Sequence, residues 1–176
     1  DLYTVDVKDE YLDILPEVVA RAQRTVVFDV GESSMSLATE NIDNYEFVRL
    51  LEKKVGKKAT LFYATPTRID SVLKRYKGDL HNVIEALIQR CTENQHEGDI
   101  VLLLDHILEY ANDNRASDIH IEPLEGRVLV RFRVDGLLHE ALYYPHVLHE
   151  KIVFRVKIMS HLQTDEHATA QDGRFE

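Results

Sequence analysis

Residues 128–136, read VLVRFRVDG, constrain the fold more than any other part of the chain. Val128, Val130, Phe132 and Val134 alternate with Leu129, Arg131, Arg133 and Asp135. That is the period-two pattern of a strand with one face in a core and the other turned away from it. Asp135-Gly136 is the preferred two-residue hairpin turn, so residues 137–144 return as the partner strand. Upstream, Ile119 and Ile121 alternate with Asp118, His120 and Glu122, and Pro123 ends that strand. A half-buried sheet needs a cover. Ile100, Leu103, Leu104, Ile107, Leu108 and Ala111 share one face of a helix before it. Leu148, Ile152, Val156 and Met159 share one face of a helix after Pro145.

Residues 99–176 therefore predict a small α+β domain, an antiparallel sheet packed by helices and PAS-like in outline. Residues 1–92 predict a second α+β unit. Pro16 is expected at the first position of a short helix, where its missing N–H is harmless. Strands are expected over 26–30, 35–39 and 59–63. Asp43 with Glu46 three residues on has the spacing of a capping box. Phe47, Leu50, Leu51 and Val55 follow at helical spacing, and Gly56 closes that helix. Thr65-Pro66 opens a helix carrying Ile69, Val72, Leu73 and Tyr76, with Gly78 as its stop. Leu80, Val83, Ile84, Leu87, Ile88 and Cys91 form another amphipathic helix. The polar stretch TENQHEG, 92–98, has no apolar periodicity, and a domain boundary with a mobile linker at 93–98 is expected there.

Charge narrows the function. Against 21 Lys and Arg stand 31 Asp and Glu, a net charge of −10. Phosphate backbones and anionic lipid both require basic surfaces, so neither nucleic-acid binding nor direct membrane adsorption is expected. No apolar run reaches the roughly 18 residues of a membrane-spanning helix. Cys91 is the only cysteine, which excludes an internal disulfide and suits a reducing cytosol. The chain opens on Asp1 rather than Met, and an excised fragment is expected.

Arg131 and Arg133 sit two residues and about 6.6 Å apart on one strand face. Two guanidiniums on a rigid strand can clamp an anion, each forking onto oxygens and holding its charge at neutral pH. The competing reading is a solvated face paired with acids such as Glu140 across the hairpin. Asp118, His120 and Glu122 share a face at a spacing that can bind a divalent metal, yet a scaffold role bonding loops or a neighbouring subunit is the stronger expectation. The nine histidines, His146 and His149 among them, lack a zinc spacing, and no metal site is expected.

Three segments, ASDIHIEP at 116–123, VRFRVDG at 130–136 and QDGR at 171–174, resemble the second N-terminal domain of the hexameric ATPases that drive type II secretion and type IV pilus assembly. Residues 1–92 resemble the family's first domain more weakly. The resemblance implies that Arg131, Arg133 and Arg174 approach nucleotide bound by a motor domain. It implies interdomain or subunit contacts for Asp118, His120, Glu122, Arg155 and Lys157. It also implies ATP and Mg in the full-length protein, a hexamer, and docking of the first unit onto an inner-membrane platform protein from the cytoplasmic side. No G-x-x-x-x-G-K-[ST] phosphate loop occurs in these residues, so they are not expected to hydrolyse ATP alone. Family members usually carry E-x-R-x-P before QDGR. Here Glu166 is followed by Ala168 and Ala170 in place of the arginine and the proline. A stand-alone, non-catalytic interaction module is the alternative.

Overall fold

A computed structural model describes residues 7–76, 80–94 and 96–174. They form an α+β fold built on two three-stranded sheets. After α1 (Asp9–Leu12) and α2 (Glu17–Gln23), strands β1 (Thr25–Val30) and β2 (Ser34–Thr39) pair antiparallel, with a register shift between Val27 and Asp29. Strand β3 (Lys58–Tyr63) lies parallel to β2. A parallel pair requires a crossover, which α3 (Tyr45–Val55) supplies. Pro16 occupies the N-cap of α2 rather than its first turn, because its ψ of 145° is extended and the helix starts at Glu17. The cap of α3 also differs from expectation. Asn44 is the cap, its side chain accepting from Phe47 N–H at 3.4 Å. Asp43 is instead held in a preceding turn, its N–H donating to Asn41 Oδ1 at 3.0 Å. Leu50, expected on the apolar face, is exposed, as is Val83.

Helix α4 (Pro66–Leu73) starts with Pro66 in its first turn, and Gly78, its expected stop, lies outside the described residues. Helix α5 (Leu80–Asn94) is followed by α6 (Glu97–Asp113). Most of the 92–98 stretch is therefore helical, with His96 capping α6 by accepting from Gly98 N–H at 3.2 Å. Gln95 lies outside the described residues. Arg90 on α5 pairs with Asp99 on α6 at 2.5 Å.

The second sheet runs in sequence order, β4 (Asp118–Pro123), β5 (Arg127–Val134) and β6 (Leu137–Pro145), all antiparallel. Asp135 and Gly136 both have positive φ, 53° and 83°. That is the twist a two-residue hairpin needs. Val130 faces Leu142 and Arg131 faces Glu140, so Ala141 is an extra residue in β6. The bulge turns both Ala141 and Leu142 into the core. A 3₁₀ turn (His146–Leu148) then leads into α7 (His149–Met159).

Val128, Val130, Phe132 and Val134 are all buried, as the alternation predicts. They share one buried cluster with Ile100, Leu103, Leu104, Ile107 and Ala111 of α6, and Tyr110 packs edge-on to Phe132 at 5.7 Å. Helices α2 and α5 also pack on β6, so the buried side chains of both sheets run together in one cluster. Polar contacts also link the surroundings of the two sheets. Val18 N–H of α2 donates to buried Asn114 Oδ1 at 2.7 Å, and Lys54 pairs with Asp135 at 2.5 Å. No described helix is long and apolar enough to cross a membrane.

Candidate functional site

The outward face of the second sheet carries the sequence-predicted cluster. With Val130, Phe132 and Val134 committed to the core, Arg131 and Arg133 must project the other way. Antiparallel register sets Asp118 opposite Arg133 and His120 opposite Arg131. Arg131 reaches diagonally to Glu122, donating Nε at 3.1 Å and Nη2 to the same Oε1. Arg133 pairs through Nε with Asp118 Oδ2 at 3.1 Å and donates Nη1 to the Gly136 carbonyl at 3.1 Å. Ser117 Oγ donates to Asp118 at 2.9 Å and steadies that carboxylate.

The expected pairing of the arginines with Glu140 is not what forms. Glu140 stands opposite Arg131 on β6, yet its carboxylate accepts from the Tyr143 hydroxyl at 2.7 Å. Arg127 lies over the Tyr143 ring at 4.2 Å, a cation–π contact the sequence did not suggest. The face is thus a ladder of guanidiniums and carboxylates, with the arginine side chains about a third exposed, 32% and 36%. Each carboxylate orients one guanidinium and leaves its edge open to solvent. Such an array can present fixed positive groups to an anion. Among the described residues, no three His, Cys, Asp or Glu side chains come together as a group able to hold a metal ion.

Arg155 and Lys157 fall elsewhere, in a cavity of about 1030 Å³ between α6, α7 and the segment after α7. Ile100 and Val101 of α6 and Phe154 and Ile158 of α7 make its apolar walls. Arg155 Nε is buried without a hydrogen-bond partner among the described residues. Lys157 Nζ donates to the Glu166 carbonyl at 2.5 Å and ties α7 to the C-terminal segment.

Glu166, Gln171 and Gly173 fold that segment. Gln171 and Gln163 exchange two bonds, each 2.9 Å, between side-chain amide and backbone. Gly173 lies so close to α7's end that a Cβ there would sit 2.5 Å from the Ser160 carbonyl oxygen. The Glu166 carboxylate accepts from the N–H groups of Ala168, at 2.6 Å, and Thr169, at 3.1 Å. These bonds hold its pKa below the usual carboxylate value. Gln171 and Gly173 of QDGR thus have structural tasks, and no strand begins among residues 171–174. Arg174 is exposed and lies in neither the charged sheet face nor the cavity.

Residues 1–83 match the family model of the MshEN domain, and residues 93–176 match that of the type II/IV secretion system protein. The chain is 31% identical over 193 aligned positions to the type IV pilus assembly ATPase PilB of Myxococcus xanthus, covering 99% of the chain and 34% of that protein. It is 29% identical over 182 positions to the type II secretion system protein E of Xanthomonas campestris pv. campestris, covering 93% and 32%. To the type II secretion system protein E of Pseudomonas aeruginosa it is 43% identical over 83 positions, covering 47% and 16%. The chain spans about a third of the length of the first two relatives. It belongs to the family of type II secretion and type IV pilus assembly ATPases, and corresponds to the N-terminal part of its members.

Proposed function

We propose that this chain is the docking and nucleotide-site-completing region of a hexameric secretion or pilus-assembly ATPase at the cytoplasmic face of the inner membrane. The first unit, residues 1–92, attaches the motor to a platform protein. The second, residues 99–176, presents Arg131 and Arg133 to ATP and Mg held by a motor domain, and residues 93–98 are the joint between the two. The observation that carries this reading is the pair of guanidiniums on one outward sheet face, each oriented by its own carboxylate over a fully packed core. Such a pair can stabilise charge on a terminal phosphate as an arginine finger does. Arg155 and Lys157, beside an open apolar cavity next to the C-terminal segment, suit contact with a following domain, and Arg174 extends toward it.

The test is Arg131→Ala and Arg133→Ala in a form of the protein that includes a motor domain. An arginine finger contributes about a thousandfold or more to turnover, so hydrolysis should fall by that order while thermal unfolding of residues 1–176 changes little. Wild-type turnover in both variants overturns the assignment.

One observation favours a second reading, a non-catalytic interaction module. Both arginines already have carboxylate partners within the chain. On that reading the alanine variants leave hydrolysis unchanged.

A further inference from the structure

We propose that the outer edge of β3 takes up an extended, acidic segment of a partner protein as a fourth strand. This deepens the docking half of the function proposed above. Backbone parity shows which groups are on offer. Lys58 N–H donates to the Ser33 carbonyl at 3.0 Å and Ala64 N–H to that of Thr39 at 2.9 Å, so even-numbered residues of β3 face β2. Ala59, Leu61 and Tyr63 therefore turn their N–H and C=O groups away from the sheet. Glu52 of α3 covers the first of them, accepting from Ala59 N–H at 2.9 Å. Beyond it, Leu61 and Tyr63 leave a run of edge donors and acceptors that no described residue satisfies.

Edges are protected from pairing with one another by bulges, prolines or charged side chains, lysine above all, and lysines repel a like edge while admitting an acidic strand. Here the register from Lys58 to Tyr63 against β2 is unbroken, and no proline falls within it. Phe62 and Tyr63, 44% and 65% exposed, would be covered by an added strand.

Charge selects the occupant. Residues 49–68 carry six Lys and Arg against one acid, Glu52, in a chain whose net charge is −10; Lys54 pairs with Asp135 and Lys58 with Glu52, and the segment keeps a surplus of positive charge. Lys57 donates to two carbonyl oxygens, those of Gly31 at 2.5 Å and Glu32 at 2.7 Å, and pairs with no carboxylate among the described residues. A second copy of the same edge would bring lysines against lysines. An acidic strand is complementary, its main chain supplying affinity and its carboxylates register and selectivity.

The probe is a synthetic peptide of about ten residues alternating glutamate and valine, long enough for one strand, with its lysine–valine counterpart as control. It is titrated into the isotope-labelled 176-residue chain by NMR. The expected result is that the amides of Leu61 and Tyr63 shift and exchange with solvent at least about tenfold more slowly with the acidic peptide alone. Tyr63→Pro removes an outward donor that an edge strand tolerates losing, and should weaken binding about tenfold, whereas Tyr63→Thr retains it. Charge reversal by Lys53→Glu, an exposed position on α3, weakens binding without touching the Glu52 bond to Ala59. Equal binding of both peptides, no protection at Leu61 and Tyr63, or unchanged affinity in the proline and charge-reversed variants overturns the proposal. The readout involves neither hydrolysis nor the arginines, so its failure leaves the nucleotide-site reading standing.

Discussion

Asn114 carries a long-range cap whose removal can be predicted quantitatively. Helix α2 begins after Pro16, which offers no side-chain cap. Its Val18 N–H is one of the first-turn donors a helix cannot satisfy by itself. Asn114 Oδ1, 96 residues away at the end of α6, accepts from it at 2.7 Å. The same amide donates Nδ2 to the Tyr110 carbonyl at 2.8 Å. Both Val18 and Asn114 are almost fully buried, at 1% and 2% exposure. Asn114→Ala deletes two hydrogen bonds of about 1 kcal/mol each and leaves a buried N–H with no acceptor. The total is about 3 kcal/mol. For a chain of this size the midpoint of thermal unfolding should fall by about 6–12 °C. Urea denaturation followed by circular dichroism measures the loss directly, with the slope m unchanged if the two sheets still unfold together. Asn114→Asp retains the acceptor and loses the donor, and should fall between. A loss under about 0.5 kcal/mol in the alanine variant would refute the reasoning, because the cap would then carry no stability.

Gly136→Ala forces a Cβ onto a backbone at φ 83° and should cost about 1 kcal/mol by urea midpoint. A neutral effect would mean that the hairpin turn relaxes. In Gly173→Ala the new Cβ meets the Ser160 carbonyl at 2.5 Å, a backbone atom that cannot step aside. Faster hydrogen exchange over residues 163–172 with an unchanged global midpoint is expected, and unchanged exchange would contradict the close approach. The depressed pKa of Glu166 has a definite sign. Its contribution is fully present above the unfolded carboxylate pKa, about 4.3, and is lost as pH falls through the lower folded value. Protection of the Ala168 and Thr169 amides should therefore fade in acid, and Glu166→Gln should abolish that pH dependence.

The hairpin of β5 and β6 was legible in the sequence because its signals are local. Period-two alternation assigned Val130, Phe132 and Val134 to the core and Arg131 and Arg133 to the opposite face, and Asp135-Gly136 marked the turn. The partners of those arginines were not legible. Glu140 is the residue a hairpin register sets opposite Arg131, but it is engaged by Tyr143, and Glu122 on the other neighbouring strand takes the guanidinium. The α3 cap fell one residue beyond its expected place because Asn41 claims the Asp43 N–H for a turn of its own. The polar 92–98 stretch gave no apolar signal, yet α5 continues to Asn94, as its Cys91 is packed in the shared core.

Sequence alone determined the β5–β6 hairpin, the core-facing sides of β5 and α6, and which two arginines stand together. Those properties follow from the chain's own 3.6- and 2-residue periods. Tertiary structure alone decided that Asn114 caps α2, that the Glu166–Gly173 segment folds against the end of α7, and that β3 lies at a sheet edge with open main-chain groups. Each of these depends on which surfaces meet. A buried donor or an exposed edge is defined by its neighbours in space, and no local pattern records them.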